Sequence, residues 1–186
     1  PRTWSLPVLS ACCAACPGRA PLSGVCLEAE RAPRRVIDVD LPADYDEAIW
    51  PMLGWLAGQA APDRIPLLRG LERSAPSADD LKALCAAFGT TSAAPMLHLA
   101  GITPEADLPP VPEADAARIT LEDLRALWRQ FNAGPADVDL VAFGSPHFSL
   151  AECRALAVAL SGRRRHPNTA VIVTLGHDTL AAARAE

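Results

Sequence analysis

Two short segments of the sequence combine residue types that could bind or transform a small acidic molecule. The first is residues 144–149 (GSPHFS), where Gly144 lets the backbone leave a strand sharply and Pro146 stiffens the turn. His147 then lies beside the start of a helix capped by Ser149, where free amides and the helix dipole favour an anion such as a carboxylate. Because histidine titrates near neutral pH, His147 is a candidate catalytic residue.

The second segment is residues 101–106 (GITPEA), which follows an apolar stretch containing His98. Its Glu105 is either a functional carboxylate or a solvated loop residue, and a histidine inside an apolar strand is more typical of a hydrogen-bonded core. Ser145 lies outside a G-x-S-x-G elbow, so a serine hydrolase has weak support. Glycine, proline and a capping serine between a strand and a helix are also typical of an ordinary turn with no catalytic role.

A third cluster is formed by Cys12, Cys13 and Cys16, spaced C-C-x-x-C. The functional interpretation is a metal or cluster site, or a redox pair. The structural interpretation is small apolar residues on an alanine-rich helix. No second C-x-x-C completes a four-ligand zinc site, and the role of these cysteines stays open.

Strand-like and helix-like segments alternate from about residue 35 onward, each unit near the ~30 residues that a β-α crossover needs. Strands are predicted at 35–41, 65–68, 95–100, 138–143 and 169–175. Helices are predicted to begin near Asp44, Ser77, Thr120 and Ser149, with a last one after residue 175. This order predicts a three-layer α/β/α fold with a mostly parallel sheet and helices on both faces. Ligands bind such sheets beyond the carboxyl ends of the strands, where both segments fall.

Apolar spacing predicts which faces are buried. The helix after Ser77 has a stripe at i, i+3, i+4 and i+7, formed by Leu81, Leu84, Cys85 and Phe88. The helix after Thr120 has a face formed by Leu121, Leu124, Trp128 and Phe131. The nearly continuous apolar run 138–143 predicts a strand covered on both faces. Residues 103–116 read as a Pro-rich, acidic loop.

Composition narrows the class of protein. The chain has 186 residues, a net charge of −5 and a pI of about 5.4, which disfavours nucleic-acid binding through a basic patch. No run approaches the roughly 18 apolar residues that span a bilayer, and no signal peptide is visible, so we expect no membrane partner and a cytoplasmic location. The motifs GxGxxG, GxxxxGK[ST] and HExxH do not occur, which removes the usual signals of nucleotide folds and zincins.

Four stretches resemble aconitase X, an iron-dependent dehydratase branch of the aconitase superfamily. Residues 18–31 (GRAPLSGVCLEAER) resemble that family's GRxPxxGLHLDENR segment, and 53–58 (LGWLAG) resemble its LGYLIG helix. Residues 80–84 (DLKAL) with 97–106 (LHLAGITPEA) are similar to ELKAL…FHIVGVTPEA. Residues 144–150 (GSPHFSL) are similar to its G(C/S)PHFSL turn. Order and spacing agree over nearly all of the chain.

The resemblance implies a lyase (hydro-lyase) that removes water from a small hydroxy acid. Bacterial members act on cis-3-hydroxy-L-proline and archaeal relatives on phosphomevalonate. Ser145, where the archaeal pattern tends to have Cys, favours the bacterial substrate. The implied mechanism has an iron or iron–sulfur centre as Lewis acid and a base that removes the proton next to the carboxylate. The ligands of that centre are expected mostly outside this chain.

Family positions also imply site residues. The implied catalytic residues are His147, Glu105 and Ser145. The implied substrate-binding residues are Thr103, Pro104, Ser149, Phe148, Lys82 and His98; Lys82 is also the one lysine among 17 basic residues. The implied partners are the hydroxy-acid substrate and a small swivelling domain or subunit of the same enzyme.

The sequence departs from the family pattern at three places. Cys26 replaces a His, Glu30 replaces an Asn, and Leu175-Gly176 stands where a TSR-like sequence is common. We therefore expect a partial catalytic domain, with a leading segment at 1–34 and alternating β/α units at 35–186, completed by other sequence or partner chains. Two alternatives remain: a catalytically inactive α/β domain for binding or assembly, and a phosphomevalonate dehydratase-like enzyme.

Overall fold

The computed structural model describes residues 24–186 and divides the chain into two compact units, which meet in sequence at Arg129 and Gln130. The elements of the first unit begin with the 3-10 turns Gly24–Cys26 and Glu28–Arg31. They continue with β1 (Arg35–Val39), α1 (Ile49–Ala60), β2 (Pro66–Arg69), α2 (Ala78–Thr91), β3 (His98–Leu99), β4 (Asp115–Ile119) and α3 (Leu121–Phe131), which crosses the boundary. The second unit holds β5 (Leu140–Phe148), α4 (Leu150–Leu160), β6 (Ala170–Leu175) and α5 (His177–Ala185).

The first unit contains a four-stranded sheet in the order β3-β2-β1-β4, and every pairing in it is parallel. β1 is central, with Ile37 opposite Leu68 on one side and Ala117 on the other. The prediction of a parallel α/β sheet with helices on both sides is confirmed. Fully buried side chains fill the core, among them Ile37, Leu53, Leu68, Leu71 and Leu84.

Helices α1 and α2 approach each other closely because α1 presents two glycines. A Cβ on Gly54 would lie 2.1 Å from the Leu84 carbonyl oxygen, and one on Gly58 would lie 1.9 Å from the hydroxyl of Thr91. That hydroxyl donates a hydrogen bond to the Trp55 carbonyl at 3.0 Å. Close packing of the two helices therefore explains both glycines of residues 53–58 (LGWLAG).

A charged cluster joins the first residue of β1 to β4 and to the end of α1. The Arg35 guanidinium donates from Nε to Asp115 Oδ1 at 2.7 Å, and also to Asp115 Oδ2 and the Ala60 carbonyl. The hydrogen bond from Arg35 holds the pKa of Asp115 below its ordinary value, while partial desolvation acts in the opposite direction. This bidentate pair tethers an edge strand that has little apolar surface of its own.

The second unit pairs β5 with β6 in parallel, and α4 begins at a capping box in which Ser149 and Glu152 satisfy each other's backbone amides. No residue of this fully described unit is buried. Leu140, Val171 and Ile172 are 49%, 42% and 51% exposed. The prediction that the 138–143 strand is covered on both faces is therefore wrong for this unit, because two strands and two helices are too few to enclose it.

Several predicted boundaries change. α1 begins at Ile49 rather than near Asp44, so Pro51 falls in the first turn, where its missing N–H costs no intrahelical bond. The predicted strand at 95–100 shortens to His98–Leu99. β4 appears at the end of the predicted loop, where Asp115 pairs beside Arg35.

Two predicted buried faces also change. On α2, Leu84 and Phe88 are buried as expected, but Cys85 is exposed. On α3, burial is centred on Leu124 and Leu127, so Trp128 and Phe131 are about half exposed, at 52% and 50%. The capping predictions at Ser77 and Thr120 are confirmed. Within residues 24–186, no helix is long and apolar enough to cross a bilayer.

The α1–α2 contact yields a stability prediction. Gly54→Ala should lower the free energy of unfolding by about 1–3 kcal/mol, because its methyl group has to displace the Leu84 backbone. Gly89→Ala is the matched control, since Gly89 lies in α2 with nothing within 4 Å; there, better helix propensity should give up to about 1 kcal/mol of added stability. Chemical denaturation of the full-length protein measures both. Equal effects of the two substitutions would contradict the packing account.

The Arg35–Asp115 pair yields a pH prediction. Because the folded-state pKa of Asp115 is depressed, its stabilising contribution is present above the ordinary aspartate pKa of 3.8 and is lost as pH falls through the folded-state pKa. Asp115→Asn should therefore lower the thermal midpoint at pH 7, and the difference from wild type should shrink below pH 4. A difference that stayed constant down to pH 2.5 would contradict the ion-pair explanation.

Candidate active site

The turn after β3 is held by its own hydrogen bonds. Gly101 follows the strand with a φ of +70°, in the left-handed region that glycine adopts without strain. The Thr103 hydroxyl accepts from the Leu99 amide at 3.0 Å, and the Thr103 amide donates to the Leu99 carbonyl at 3.0 Å. These bonds close the turn, so that Pro104 and Glu105 are presented at a defined place beyond the carboxyl end of β3.

Glu105 forms an ion pair with Arg31, 74 residues earlier in the chain. Arg31 Nη1 lies 2.5 Å from Glu105 Oε1, and the two side chains are 21% and 29% exposed, respectively. Arg31 Nε also donates to the Val25 carbonyl at 2.7 Å. No role of Arg31 was predicted from the sequence, where its one signal is its place in the family-like segment 18–31.

His98 lies in the core at 2% exposure. Its Nε2 is 2.8 Å from the Arg31 carbonyl oxygen, and because a carbonyl can only accept, the ring proton sits on Nε2. This geometry fits the core-histidine interpretation, and the substrate-binding role of His98 stays a prediction. Lys82 lies on α2 and pairs with Asp79 at 2.8 Å, one helical turn earlier.

Residues 144–148 of the GSPHFS segment lie inside β5 rather than between a strand and a helix, which corrects the predicted turn. Phe143 pairs with Val173 and Phe148 pairs with Leu175, so residues 144–147 bulge out of the ladder. Gly144 has a φ of +100°, and a Cβ there would lie 2.2 Å from the Thr174 carbonyl oxygen.

The bulge exposes Ser145 and His147, while Phe148 returns to the ladder with its ring 6.0 Å from that of Phe143. The amide of Ser149 donates to the Glu152 carboxylate at 2.7 Å. One of the amides expected to attract an external anion is therefore already bonded within the helix cap.

The predicted site residues thus fall into two groups, one in each unit. In the first unit, Thr103, Pro104 and Glu105 share the turn, and His98 joins them through Arg31. Lys82 lies on a separate helix. In the second unit, Ser145, His147, Phe148 and Ser149 are close neighbours in sequence at the end of β5.

The described residues do not fit an iron centre by themselves. Within 24–186, no three His, Cys, Asp or Glu side chains gather as a metal site. Cys26 and Cys153 are half-buried and Cys85 is exposed, all as free thiols. The predicted cluster Cys12, Cys13 and Cys16 lies outside the described residues.

Two regions of the chain match models of known protein families. Residues 33–129 match the model of the aconitase X second domain, and residues 138–186 match that of the third domain. Since the first match alone covers more than half of the chain, the chain belongs to the aconitase X family.

Three relatives with known names are similar to the chain. The chain is 44% identical over 179 residues to the cis-3-hydroxy-L-proline dehydratase of Pseudomonas aeruginosa, covering 93% of this chain and 31% of the relative. It is 37% identical to the enzyme of that name from Hypocrea jecorina, covering 98% and 32%. The phosphomevalonate dehydratase large subunit of Methanothermobacter thermautotrophicus is 32% identical, covering 75% and 34%. The chain therefore spans about a third of the length of these curated relatives.

A solved structure agrees with the fold. The crystal structure of Thermococcus kodakaraensis aconitase X in its holo-form superposes with a TM-score of 0.80 at 27% identity, covering 92% of this chain and 44% of that one. The chain therefore shares the aconitase X fold over most of its length.

The bulge yields a prediction of its own. Gly144→Ala should destabilise the β5–β6 pair by about 1–3 kcal/mol, because the methyl group meets the Thr174 backbone and the φ of +100° disfavours any side chain. Gly134→Ala, with nothing within 4 Å of the added carbon, is the control and should change stability little. Hydrogen exchange of the β6 amides in the full-length protein reports the effect locally. Unchanged protection in Gly144→Ala would contradict the close approach.

Proposed function

We propose that this chain is part of a hydro-lyase that dehydrates cis-3-hydroxy-L-proline. The observation that carries the proposal is identity of 44% and 37% to two enzymes of that name, over more than nine-tenths of this chain. The phosphomevalonate dehydratase large subunits are less similar, at 27–32%. Ser145 in the GSPHFS segment supports the same choice of substrate.

Within this reaction, we assign proton-transfer roles to Glu105 and His147, which carry the titratable side chains of residues 101–106 and 144–149. Glu105 has one carboxylate oxygen held by Arg31, which leaves the other to accept a proton or a hydrogen bond. Ser145 is exposed, lies two residues before His147 and offers a hydroxyl group. Thr103 closes the turn that holds Glu105.

The resemblance implies an iron or iron–sulfur centre that would act as Lewis acid on the leaving hydroxyl. Because the described residues gather no ligand set for it, we assign no step of this chain to that centre. A small domain or subunit is proposed as a partner, since the archaeal relatives are named as large subunits.

Turnover by the full-length protein tests the proposal. Reconstituted anaerobically with iron, it should release water from cis-3-hydroxy-L-proline. His147→Ala and Glu105→Gln should each lower kcat by at least about a hundredfold, as expected for loss of a general acid or base. His166→Ala is the control, because His166 lies in the exposed loop between α4 and β6.

Three outcomes separate the candidates. Turnover of phosphomevalonate instead would support the archaeal activity. No turnover of either substrate would favour a non-catalytic binding or assembly domain, the interpretation suggested by Cys26, Glu30 and Leu175-Gly176. Wild-type rates in both His147→Ala and Glu105→Gln would contradict the assigned residues while leaving the activity in place.

A further inference from the structure

Arg31 links two parts of the first unit that are distant in sequence: its own segment, and the region of β3 with its following turn. Its guanidinium contacts Glu105 through Nη1 and the Val25 carbonyl through Nε, and its own carbonyl accepts from His98 Nε2. The segment containing the two 3-10 turns is thereby tied to the buried strand β3 and to the turn that follows it.

These contacts hold Arg31 at both ends. His98 is 2% exposed, so the bond to the Arg31 carbonyl fixes the backbone from a rigid place in the core. The bond from Nε to the Val25 carbonyl restricts the rotamers of the side chain. Because arginine is long and flexible, this double anchoring removes much of the entropy cost of keeping its guanidinium in one place.

The anchored Arg31 side chain orients the carboxylate of Glu105. Arg31 holds Oε1 at 2.5 Å, whereas Oε2 has no hydrogen-bond partner among residues 24–186. The carboxylate is thus oriented by one oxygen and left open at the other. This arrangement suits a catalytic carboxylate, since a small displacement of a reacting group lowers the rate strongly.

We propose that Arg31 is a positioning residue that aims Oε2 of Glu105 at the substrate, with His98 as the support of Arg31. The inference rests on the proposed function for the role of Glu105. It also gives His98 a role behind the site rather than in contact with substrate.

A double-mutant cycle in the full-length protein tests the inference. Arg31→Gln should lower kcat about tenfold to a hundredfold with little change in KM. Arg31→Lys should recover part of the loss, because it keeps the charge but not the bond to the Val25 carbonyl. In the Glu105→Gln background, Arg31→Gln should cause no further loss, since its effect passes through Glu105.

Arg34→Gln is the matched control. Arg34 lies three residues later, is 54% exposed and pairs only loosely with Glu30 at 3.4 Å, so wild-type kinetics are expected. Undiminished kcat in Arg31→Gln would overturn the inference, as would an equal fold-loss in the wild-type and Glu105→Gln backgrounds, which marks a purely structural role. If Glu105→Gln itself is harmless, the role of Glu105 and this inference both fail.

Crystal structures of the wild-type and Arg31→Gln full-length proteins separate this inference from the proposed function. If the wild-type protein does not turn over hydroxyproline, the proposed function fails. The position of the Glu105 carboxylate in the two crystal structures still tests whether Arg31 positions it. A Glu105 carboxylate displaced in Arg31→Gln but not in Arg34→Gln supports positioning. An unmoved carboxylate contradicts it.

Discussion

The parallel pairing of β1 with both β2 and β4 is the constraint on which the first unit depends. Parallel neighbours need crossover connections, and α1 and α2 provide them between β1, β2 and β3. The pairing buries Ile37 completely and brings the carboxyl ends of all four strands to one edge. Arg35 secures the β4 side of this arrangement through Asp115, so a strand with little apolar surface still joins the sheet.

The four-stranded parallel sheet positions the candidate site of the first unit. β3 is only two residues long, yet it is buried and ends where Thr103 closes a hydrogen-bonded turn. The turn brings Glu105 to Arg31, whose backbone is held by His98 from the same strand. A core histidine, a turn threonine and an arginine outside the sheet therefore act together on the placement of one carboxylate.

The second unit uses a different device to present its residues. Gly144 lets the β5 backbone approach Thr174 of β6 more closely than any side chain allows, and the following residues bulge outward. Ser145 and His147 are exposed as a result, while Phe148 returns to the ladder. The close approach of the two strands therefore explains why residue 144 is a glycine, whatever chemistry His147 performs.

Local signals in the sequence were sufficient for the helix starts at Ser77 and Ser149, because a capping box needs only residues three apart. They failed at Asp44, where Pro51 requires a later start, and at β4, whose sequence DAARI lacks apolar alternation. Strand β4 exists through its long-range pairing with β1. The Arg31–Glu105 pair was also beyond local reasoning, since 74 residues separate its members and no spacing rule connects them.

In the proposed function, Glu105 is held by Arg31 and acts on hydroxyproline. The most direct measurement is the electron density of cis-3-hydroxy-L-proline bound to crystals of the full-length Glu105→Gln protein, which should bind substrate without consuming it. We expect the substrate within hydrogen-bonding distance of the residue at position 105, with Arg31 still beside that residue. Substrate bound in an ordered place out of reach of that residue would contradict the account.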